Sequence, residues 1–183
     1  MAADRHPRPE IRVMTADDVE PALEMFAAVA AEGRWVGTEA DADWVERRVR
    51  WRASLGAPTH RSVVAVCNGD VVGSAGVDVT GYGVAEIGMA IAPAWRGHGL
   101  GGELLDGILE QARDLGAHKV ALQVWPHNAR ALALYRGRGF CEEGRLVRHY
   151  RRSTGELWDA VVMGLVLDTE SPGSPFGDEP LIG

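Results

Sequence analysis

The stretch "AEIGMAIAPAWRGHGLGGELLDGILEQARDLG" at residues 85–116 constrains the fold more than any other part of the chain. An apolar run ends at Pro93, four of the six residues from 97 to 102 are glycine, and apolar residues then recur with helical period. The main-chain N–H groups of such a turn converge at the positive end of the helix dipole, and the missing side chains let an anion approach. The stretch therefore predicts a strand, an anion-binding turn and a helix.

Three phosphate-binding patterns compete for this turn. Gly97, Gly99 and Gly102 satisfy G-x-G-x-x-G, but a dinucleotide site also needs an acid at the end of the next strand, which here ends in "QVWPHN". A P-loop needs Gly-Lys followed by Ser or Thr, which the turn lacks. The third pattern includes the arginine, as Arg96-x-x-Gly99-x-Gly101. The first two patterns each lack a residue that they require.

The segments around the turn predict the element order β-α-α-β-β-β-α-β-α-β-β. Asn68-Gly69 between two β-branched runs indicates a tight hairpin, and Asn128 is a suitable N-cap for a helix that follows the fifth strand. Residues 41–55 predict a weaker helix, whose inner face would carry Trp44, Val45 and Val49, with Trp51 as a further candidate. This order predicts an α/β protein with a mixed sheet and helices on both faces.

A chain of 183 residues is near the usual size of one domain. The organised part is expected at residues 10–167. Residues 1–9 are rich in Pro and charge, and residues 168–183 are rich in Pro, Gly and acid. Both segments are expected to be flexible tails. The chain thus reads as a single domain between two tails.

Composition disfavours several classes of function. A net charge of −7 argues against nucleic acid as a partner, and the basic run "RLVRHYRR" at 145–152 is expected to be the solvated face of a strand. No apolar run is long enough to suggest a membrane span, and the first residues lack the apolar core of a signal peptide. Cys67 and Cys141 are not in a paired spacing, which favours free thiols and a cytoplasmic location. No histidine shows metal-ligand spacing, so no metal is expected.

Two motifs together resemble the GCN5-related N-acetyltransferase (GNAT) superfamily. "RGHGLG" matches the family's pyrophosphate loop between its fourth strand and third helix. The downstream pattern N-x-x-A-x-x-x-Y-x-x-x-G-F is met by Asn128, Ala131, Tyr135 and Gly139-Phe140. The resemblance extends over residues 10–167. It implies a mostly antiparallel central sheet that splays between its fourth and fifth strands.

The resemblance implies acetyl-CoA as co-substrate. Its pyrophosphate would lie on the amides of the glycine turn, and its pantetheine arm would pair with the unpaired edge of the fourth strand like an added strand. The cofactor-binding residues so implied are Met89, Ala90, Ile91, Arg96, Gly97, His98, Gly99, Leu100, Gly101, Gly102, Asn128, Ala131 and Tyr135.

Acetyl transfer to an amine needs a base for the amine, stabilisation of an oxyanion and a proton for the leaving thiolate. Tyr135 matches the family tyrosine that reaches the CoA sulfur, so the resemblance implies that it is the acid; a buried structural tyrosine is the alternative. "AEIGMAIA" resembles a branch of the family in which a strand glutamate is the base, which would be Glu86 here. Ordered water alone is the alternative base, and a main-chain amide near Met89 would hold the oxyanion.

In this fold the acceptor lies between the segment joining the first two helices and the last hairpin. Glu32 and neighbouring acids could bind a cationic amine with Trp35 as a wall, or those acids could simply cap the second helix. Arg148, with Arg145 and Arg151, could bind a carboxylate, as an amino-acid acceptor would need.

Three functions follow as hypotheses. The first is N-acetylation of a small amine or amino acid by direct attack on acetyl-CoA in a ternary complex. The second is acetylation of a protein N-terminus or lysine, which would need an open groove. The third is a sensor that binds acyl-CoA without turnover. A homodimer is possible, because dimers are common in the family.

Overall fold

The computed structural model describes residues 7–167. The strands are β1 (Glu10–Val13), β2 (His60–Cys67), β3 (Asp70–Val79), β4 (Val84–Ile91), β5 (Lys119–Val124), β6 (Cys141–Arg151) and β7 (Leu157–Val166). The helices are α1 (Val19–Ala31), α2 (Trp44–Ser54), α3 (Leu100–Asp114) and α4 (Ala129–Gly137). This is the order predicted from the sequence. Apart from residues 7–9, the predicted tails at 1–9 and 168–183 lie outside the described residues.

The seven strands form one mixed sheet in the order β1-β2-β3-β4-β5-β7-β6. Only the β4–β5 pair is parallel, which confirms the mixed and mostly antiparallel sheet. β4 pairs with β3 from Ala85 to Ile91, but with β5 only over Val84–Glu86. The β5-facing edge of residues 87–91 therefore pairs with no strand of the described chain. This confirms the splay between the fourth and fifth strands.

The sheet has a core on each face because successive strand residues point to opposite sides. One core joins β2, β3 and β4 to the apolar stripe of α3, with Leu104, Leu105 and Ile108 fully buried. The other core places Val19 and Val29 of α1 against residues of β2 and β4. Helices therefore cover both faces, as predicted, and each β4 residue belongs to one of two chemically distinct sides.

Local signals in the sequence form the turns that were predicted from them. Asn68 and Gly69 both have positive φ, at 52° and 92°, as a tight hairpin turn requires. Asn128 caps α4, because its side chain accepts a hydrogen bond from the Ala131 N–H at 3.2 Å. Cys67 and Cys141 are both free, Cys67 buried and Cys141 exposed.

The predicted inner face of α2 is wrong in part. Val45 and Val49 are 66% and 62% exposed. Trp44 and Trp51 instead pack on Phe26 of α1, with ring centroids 6.3 Å and 5.7 Å away. The helix begins at Trp44, so the side that meets α1 is the one carrying residues 44, 47 and 51. Among residues 7–167, no helix is long and apolar enough to cross a membrane.

A partly buried ion pair, in which Asp18 is buried and Arg12 is about one third exposed, fixes the start of α1 to β1. The Asp18 carboxylate accepts hydrogen bonds from both Arg12 Nη atoms at 2.6 and 2.7 Å, and from Thr15 N and Oγ1 at 2.7 Å each. These bonds, chiefly those from Arg12, hold the pKa of Asp18 well below its usual range. A carboxyl with a lowered pKa stabilises the fold above its unfolded pKa, near 4, and loses this contribution as pH falls towards the folded pKa.

We therefore expect Asp18→Asn to lower the free energy of unfolding at pH 7 by about 2 to 3 kcal/mol, since it leaves Arg12 without its partner. Below about pH 4 the difference from wild type should shrink, because the unfolded wild-type chain then binds a proton at Asp18 that the folded chain takes up only at lower pH. Urea unfolding at several pH values measures both effects. Asp17→Asn, at an exposed acid in the same turn, is the control and should change little. A pH-independent difference between Asp18→Asn and wild type would contradict the account.

Candidate active site

A cleft of about 1370 Å³ opens where β4 leaves β5. It runs from the glycine turn before α3, along the unpaired edge of β4, and across the sheet towards β2 beneath α1 and α2. Residues from both helix-covered faces reach it, because the divergence of β4 from β5 opens the sheet itself.

The glycine turn has the geometry of an anion site. Gly97 and Gly99 have φ of 84° and 89°, a left-handed conformation that glycine adopts most readily, and the 15-residue helix α3 begins directly after them. A Cβ on Gly101 would lie 3.2 Å from Leu134 and 3.3 Å from Ile91, and one on Gly102 would lie 2.5 Å from the Arg138 guanidinium. Gly101 thus packs closely between β4 and α4, and the turn's amides lie at the helix N-terminus.

Arginines surround this end of the cleft. Arg96 donates from Nε to the Ile91 carbonyl at 3.0 Å and from Nη1 to Glu32 at 2.8 Å, so it braces the turn against β4 and α1. Arg138 holds Asp106 of α3 through two hydrogen bonds of 2.7 and 3.0 Å. Arg130 lies 3.7 Å from the Cβ position of Gly97 and has no ion pair or hydrogen bond with residues 7–167.

The sequence reasoning missed Arg130 and Arg138. They are eight residues apart and thus share one face of α4. This periodicity was the available signal, but it could not show that the face borders the turn. Because Arg96 and Arg138 are ion-paired with Glu32 and Asp106, a phosphate-bearing ligand would meet the charge of Arg130 together with the main-chain N–H groups of the turn.

Tyr135 of α4 is buried among the residues of the α3 core and also lines the cleft. Its ring packs against Phe140 with centroids 5.6 Å apart, and its hydroxyl makes no hydrogen bond with another described residue. Burial raises the pKa of Tyr135 to about 12. Across the pH range of ordinary assays the phenol therefore keeps its proton.

The opposite face of β4 forms a polar floor across three strands. Register places His60, Asp78 and Glu86 in one row across β2, β3 and β4, and Ser62, Gly76 and Gly88 in the next. All six line the cleft. We call these two rows the polar floor.

Within the polar floor, the His60 ring bridges Asp78 through Nδ1 and Ser62 through Nε2, at 2.8 Å each. An ionised carboxylate only accepts hydrogen bonds, so Nδ1 carries a proton. Glu86 has no hydrogen-bond or ion-pair partner within residues 7–167. Glycines at the centre of the floor leave room above it, since a Cβ on Gly88 would meet no atom within 4 Å.

The structure places most of the predicted site residues along the cleft. Those lining it are Glu86, Met89, Ala90, Ile91, Arg96, Gly97, Gly99, Gly101, Gly102, Asn128, Ala131, Tyr135 and Trp35. Four do not. Leu100 is buried in the α3 core, and His98 is exposed within the turn. Glu32 lies behind Arg96 and Trp35, with a hydrogen bond to each. Arg148 is on β6, and its main-chain N–H donates to Asp159 at 2.7 Å.

In the described part of the chain, no three His, Cys, Asp or Glu side chains are grouped to hold a metal ion.

Comparison with known proteins identifies the family. The sequence model described as "Acetyltransferase (GNAT) family" matches residues 30–140. N-alpha-acetyltransferase RimI of Mycobacterium tuberculosis is 33% identical over 164 residues, which is 86% of this chain and 94% of that protein. A ribosomal-protein-alanine N-acetyltransferase from Brucella melitensis superimposes with a TM-score of 0.78 at 26% identity, covering 86% of this chain and 99% of the other. The Salmonella typhimurium protein yncA, solved with acetyl-CoA, superimposes with a TM-score of 0.80 at 21% identity. The match covers 92% of this chain and 99% of yncA.

The chain belongs to the GNAT family of acetyltransferases. It is an N-acetyltransferase. Acetyl-CoA, the co-substrate that the sequence resemblance implies, is bound by the Salmonella typhimurium neighbour. The glycine turn with its arginines and the unpaired edge of β4 fit the phosphates and the amide-bearing arm of that molecule.

We expect Arg130→Gln to raise the Kd for acetyl-CoA about tenfold, or roughly 1.4 kcal/mol, because a charge-assisted contact to phosphate is lost. Isothermal titration calorimetry measures the Kd for acetyl-CoA of the variant and of wild type. Acetyl-pantetheine, which lacks the nucleotide phosphates, should bind the variant and wild type alike. Arg113→Gln removes the same charge at an exposed position late in α3 and is the matched control. Equal weakening by both variants would show a general charge effect and no contact at Arg130.

Proposed function

We propose that this N-acetyltransferase acetylates the α-amine at the N-terminus of a polypeptide. The observation that supports this most directly is the charge of the acceptor half of the cleft, the part that lies over the polar floor. Asp78 and Glu86 present carboxylates there. The arginines that line the described cleft are Arg96, Arg130 and Arg138, all at the glycine turn, and no lysine lines it. An acceptor over the floor thus meets negative charge and aromatic rings.

This charge pattern suits an ammonium group that has no carboxylate beside it. A free amino acid would bring a carboxylate within a few bonds of its amine, close to Glu86. The arginines that the sequence offered for such a carboxylate do not line the cleft, and Arg145 is ion-paired with Asp159 at 2.7 Å. In a peptide N-terminus an amide replaces that carboxylate, so the conflict is absent.

The relatives support the same acceptor class. The Mycobacterium tuberculosis relative is named an N-alpha-acetyltransferase, and the Brucella melitensis structure is named for acetylation of a ribosomal-protein alanine. The cleft continues from Glu86 across Gly76 to Ser62 and His60, over two further strands. Strands lie about 4.8 Å apart, so the floor reaches on the order of 10 Å beyond β4, which is the length of about three extended residues.

The site residues divide the chemistry between the two faces of β4. We assign Glu86 as the base that takes a proton from the acceptor ammonium, directly or through water. The neutral amine then attacks the thioester carbonyl carbon, and a main-chain N–H at the unpaired edge of β4 is placed to stabilise the oxyanion. As the C–S bond breaks, Tyr135 donates its phenolic proton to the thiolate. The nitrogen, now part of the amide, loses its second proton to water, and water returns a proton to Tyr135. Attack and departure then occur on opposite sides of the strand.

The acceptor class is tested with one panel under initial-rate conditions. It should contain peptides with free N-termini, the same peptides with blocked N-termini and an internal lysine, free amino acids and polyamines. We expect thiol release and an added mass of about 42 Da, that of an acetyl group, on the free N-termini. Blocked peptides should be inert, and free amino acids should be at least about tenfold poorer in kcat/KM, reflecting the lost match with the acidic floor.

Each other outcome of the panel has a definite meaning. Preference for free amino acids or polyamines would replace the proposed acceptor class with a small molecule. Acetylation of blocked peptides would indicate lysine as the acceptor. Binding of acetyl-CoA, seen as a rise in Tm, without turnover of any compound would favour the sensor hypothesis.

The two assigned catalytic residues should respond differently to pH. With a pKa near 12, Tyr135 stays protonated throughout the assay range, so Tyr135→Phe should lower kcat by about 100-fold at every pH and leave the profile's shape unchanged. Glu86→Gln should lower kcat/KM by a similar factor near neutrality, and its loss should diminish with rising pH as the amine deprotonates unaided. Rate profiles from pH 6 to 10 distinguish them. A Tyr135→Phe loss that varies with pH would remove the acid role.

A further inference from the structure

Arg152 follows β6 in the turn to β7 and is only 5% exposed, although the basic run that contains it was expected to be a solvated strand face. A buried guanidinium is costly unless its donors are satisfied. Arg152 Nε lies 2.9 Å from Oε1 of Glu39, in the segment that joins α1 to α2. Ser153 adds two further hydrogen bonds to Glu39, from N at 3.3 Å and from Oγ at 3.2 Å. Glu39 therefore neither caps α2 nor lines the main cleft.

The other guanidinium nitrogens hold the main chain of the same segment. Nη1 donates to the carbonyls of Gly37 at 3.2 Å and Val36 at 3.4 Å, and Nη2 reaches that of Gly33 at 3.5 Å. Residues 35–38 of this segment line the cleft. One side chain from the last hairpin thus fixes a wall of the site that is more than 100 positions away in sequence.

The guanidinium also stacks on the aromatic rings beneath it. Its central carbon lies 4.5 Å from the Trp158 ring centroid and 5.7 Å from that of Trp125. The ring centroids of Trp158 and His127 lie 5.0 Å apart, and those of His127 and Trp35 lie 6.2 Å apart. The guanidinium of Arg152 thus lies between the wall segment and a row of rings.

We propose that Arg152 is a positioning residue for acceptor binding, with Glu39 as its partner. Together they fix residues 33–39 against the β6–β7 hairpin, and this sets the width of the cleft at the end where the acceptor enters. Neither residue touches the glycine turn or the unpaired edge of β4; the segment that they hold reaches Arg96 there through Trp35 and Glu32. We therefore expect their loss to act first on the acceptor half. The proposal rests on the proposed function only in needing an amine acceptor over the polar floor.

The kinetic test compares Arg152→Lys and Glu39→Gln with wild type, using whichever acceptor the panel identifies. Lysine keeps the charge but cannot bind an acid and three carbonyls with one planar fork. We expect the acceptor KM to rise about tenfold, or roughly 1.4 kcal/mol, while the acetyl-CoA KM stays unchanged. The double variant should be no worse than the poorer single variant, since both changes break the same contact.

A control separates positioning from loss of stability. Arg12→Lys breaks the comparable fork to Asp18 at the start of α1, outside the cleft. It should lower stability and leave both KM values unchanged. Similar rises in acceptor KM for Arg12→Lys and Arg152→Lys would reduce Arg152 to a general structural role, and an unchanged acceptor KM in Arg152→Lys would overturn the proposal.

A second measurement does not depend on any acceptor. Hydrogen exchange followed by mass spectrometry should show faster exchange in a peptide spanning residues 33–39 of Arg152→Lys, with unchanged exchange at the α3 N-terminus. Acetyl-CoA should bind this variant with wild-type affinity. If no acceptor is found, faster exchange still supports the clamp while the proposed function fails. Unchanged exchange at 33–39 refutes the clamp whatever the acceptor.

Discussion

The divergence of β4 from β5 after Glu86 is the constraint on which the rest of the site depends. A parallel pair that continued to Ile91 would satisfy its own main-chain groups and close the sheet. Because pairing stops at Glu86, five residues keep an edge available for an amide-bearing ligand, and the cleft passes between the two strands. The glycine turn follows the same strand and places the α3 N-terminus at the end of that edge. Strand, turn and helix therefore act as one template for a long phosphate-bearing molecule.

Charge is separated along this template although the chain as a whole is acidic. The glycine turn collects main-chain N–H groups and three arginines, whereas the polar floor carries two carboxylates and one histidine. A net charge of −7 therefore does not conflict with binding a polyanion, since the helix terminus and nearby guanidinium groups act over a few ångströms. The carboxylates of the polar floor in turn repel the phosphates of acetyl-CoA, so they disfavour binding of acetyl-CoA over the floor. The two ends of the cleft thus select different partners.

The sequence predicted those parts of the structure that depend on neighbouring residues. The hairpin at Asn68-Gly69, the Asn128 cap and the periodicity of α3 are local, so their signals are complete within a few residues. The prediction of the inner face of α2 was wrong in part, because the surface that a helix packs against sets its rotation about its own axis. For α2 that surface is Phe26 of α1. Arg152 was missed because its burial depends on Glu39 and three carbonyls in a distant segment. The row of His60, Asp78 and Glu86 likewise exists only through strand register, which no single segment encodes.

The two faces of β4 also separate the two residues that we propose as acid and base within one cleft. Tyr135 belongs to the α3 core, where burial keeps its proton bound, while Glu86 shares the opposite face with Ala90 and the α1 core. A strand thus separates the two groups, and they meet only through substrates that lie in the gap beside it. In the proposed mechanism the incoming amine gives a proton to Glu86 on one side, and Tyr135 gives a different proton to the departing sulfur on the other. The same divergence that leaves the β4 edge unpaired therefore gives both substrates access to the proposed base and the proposed acid.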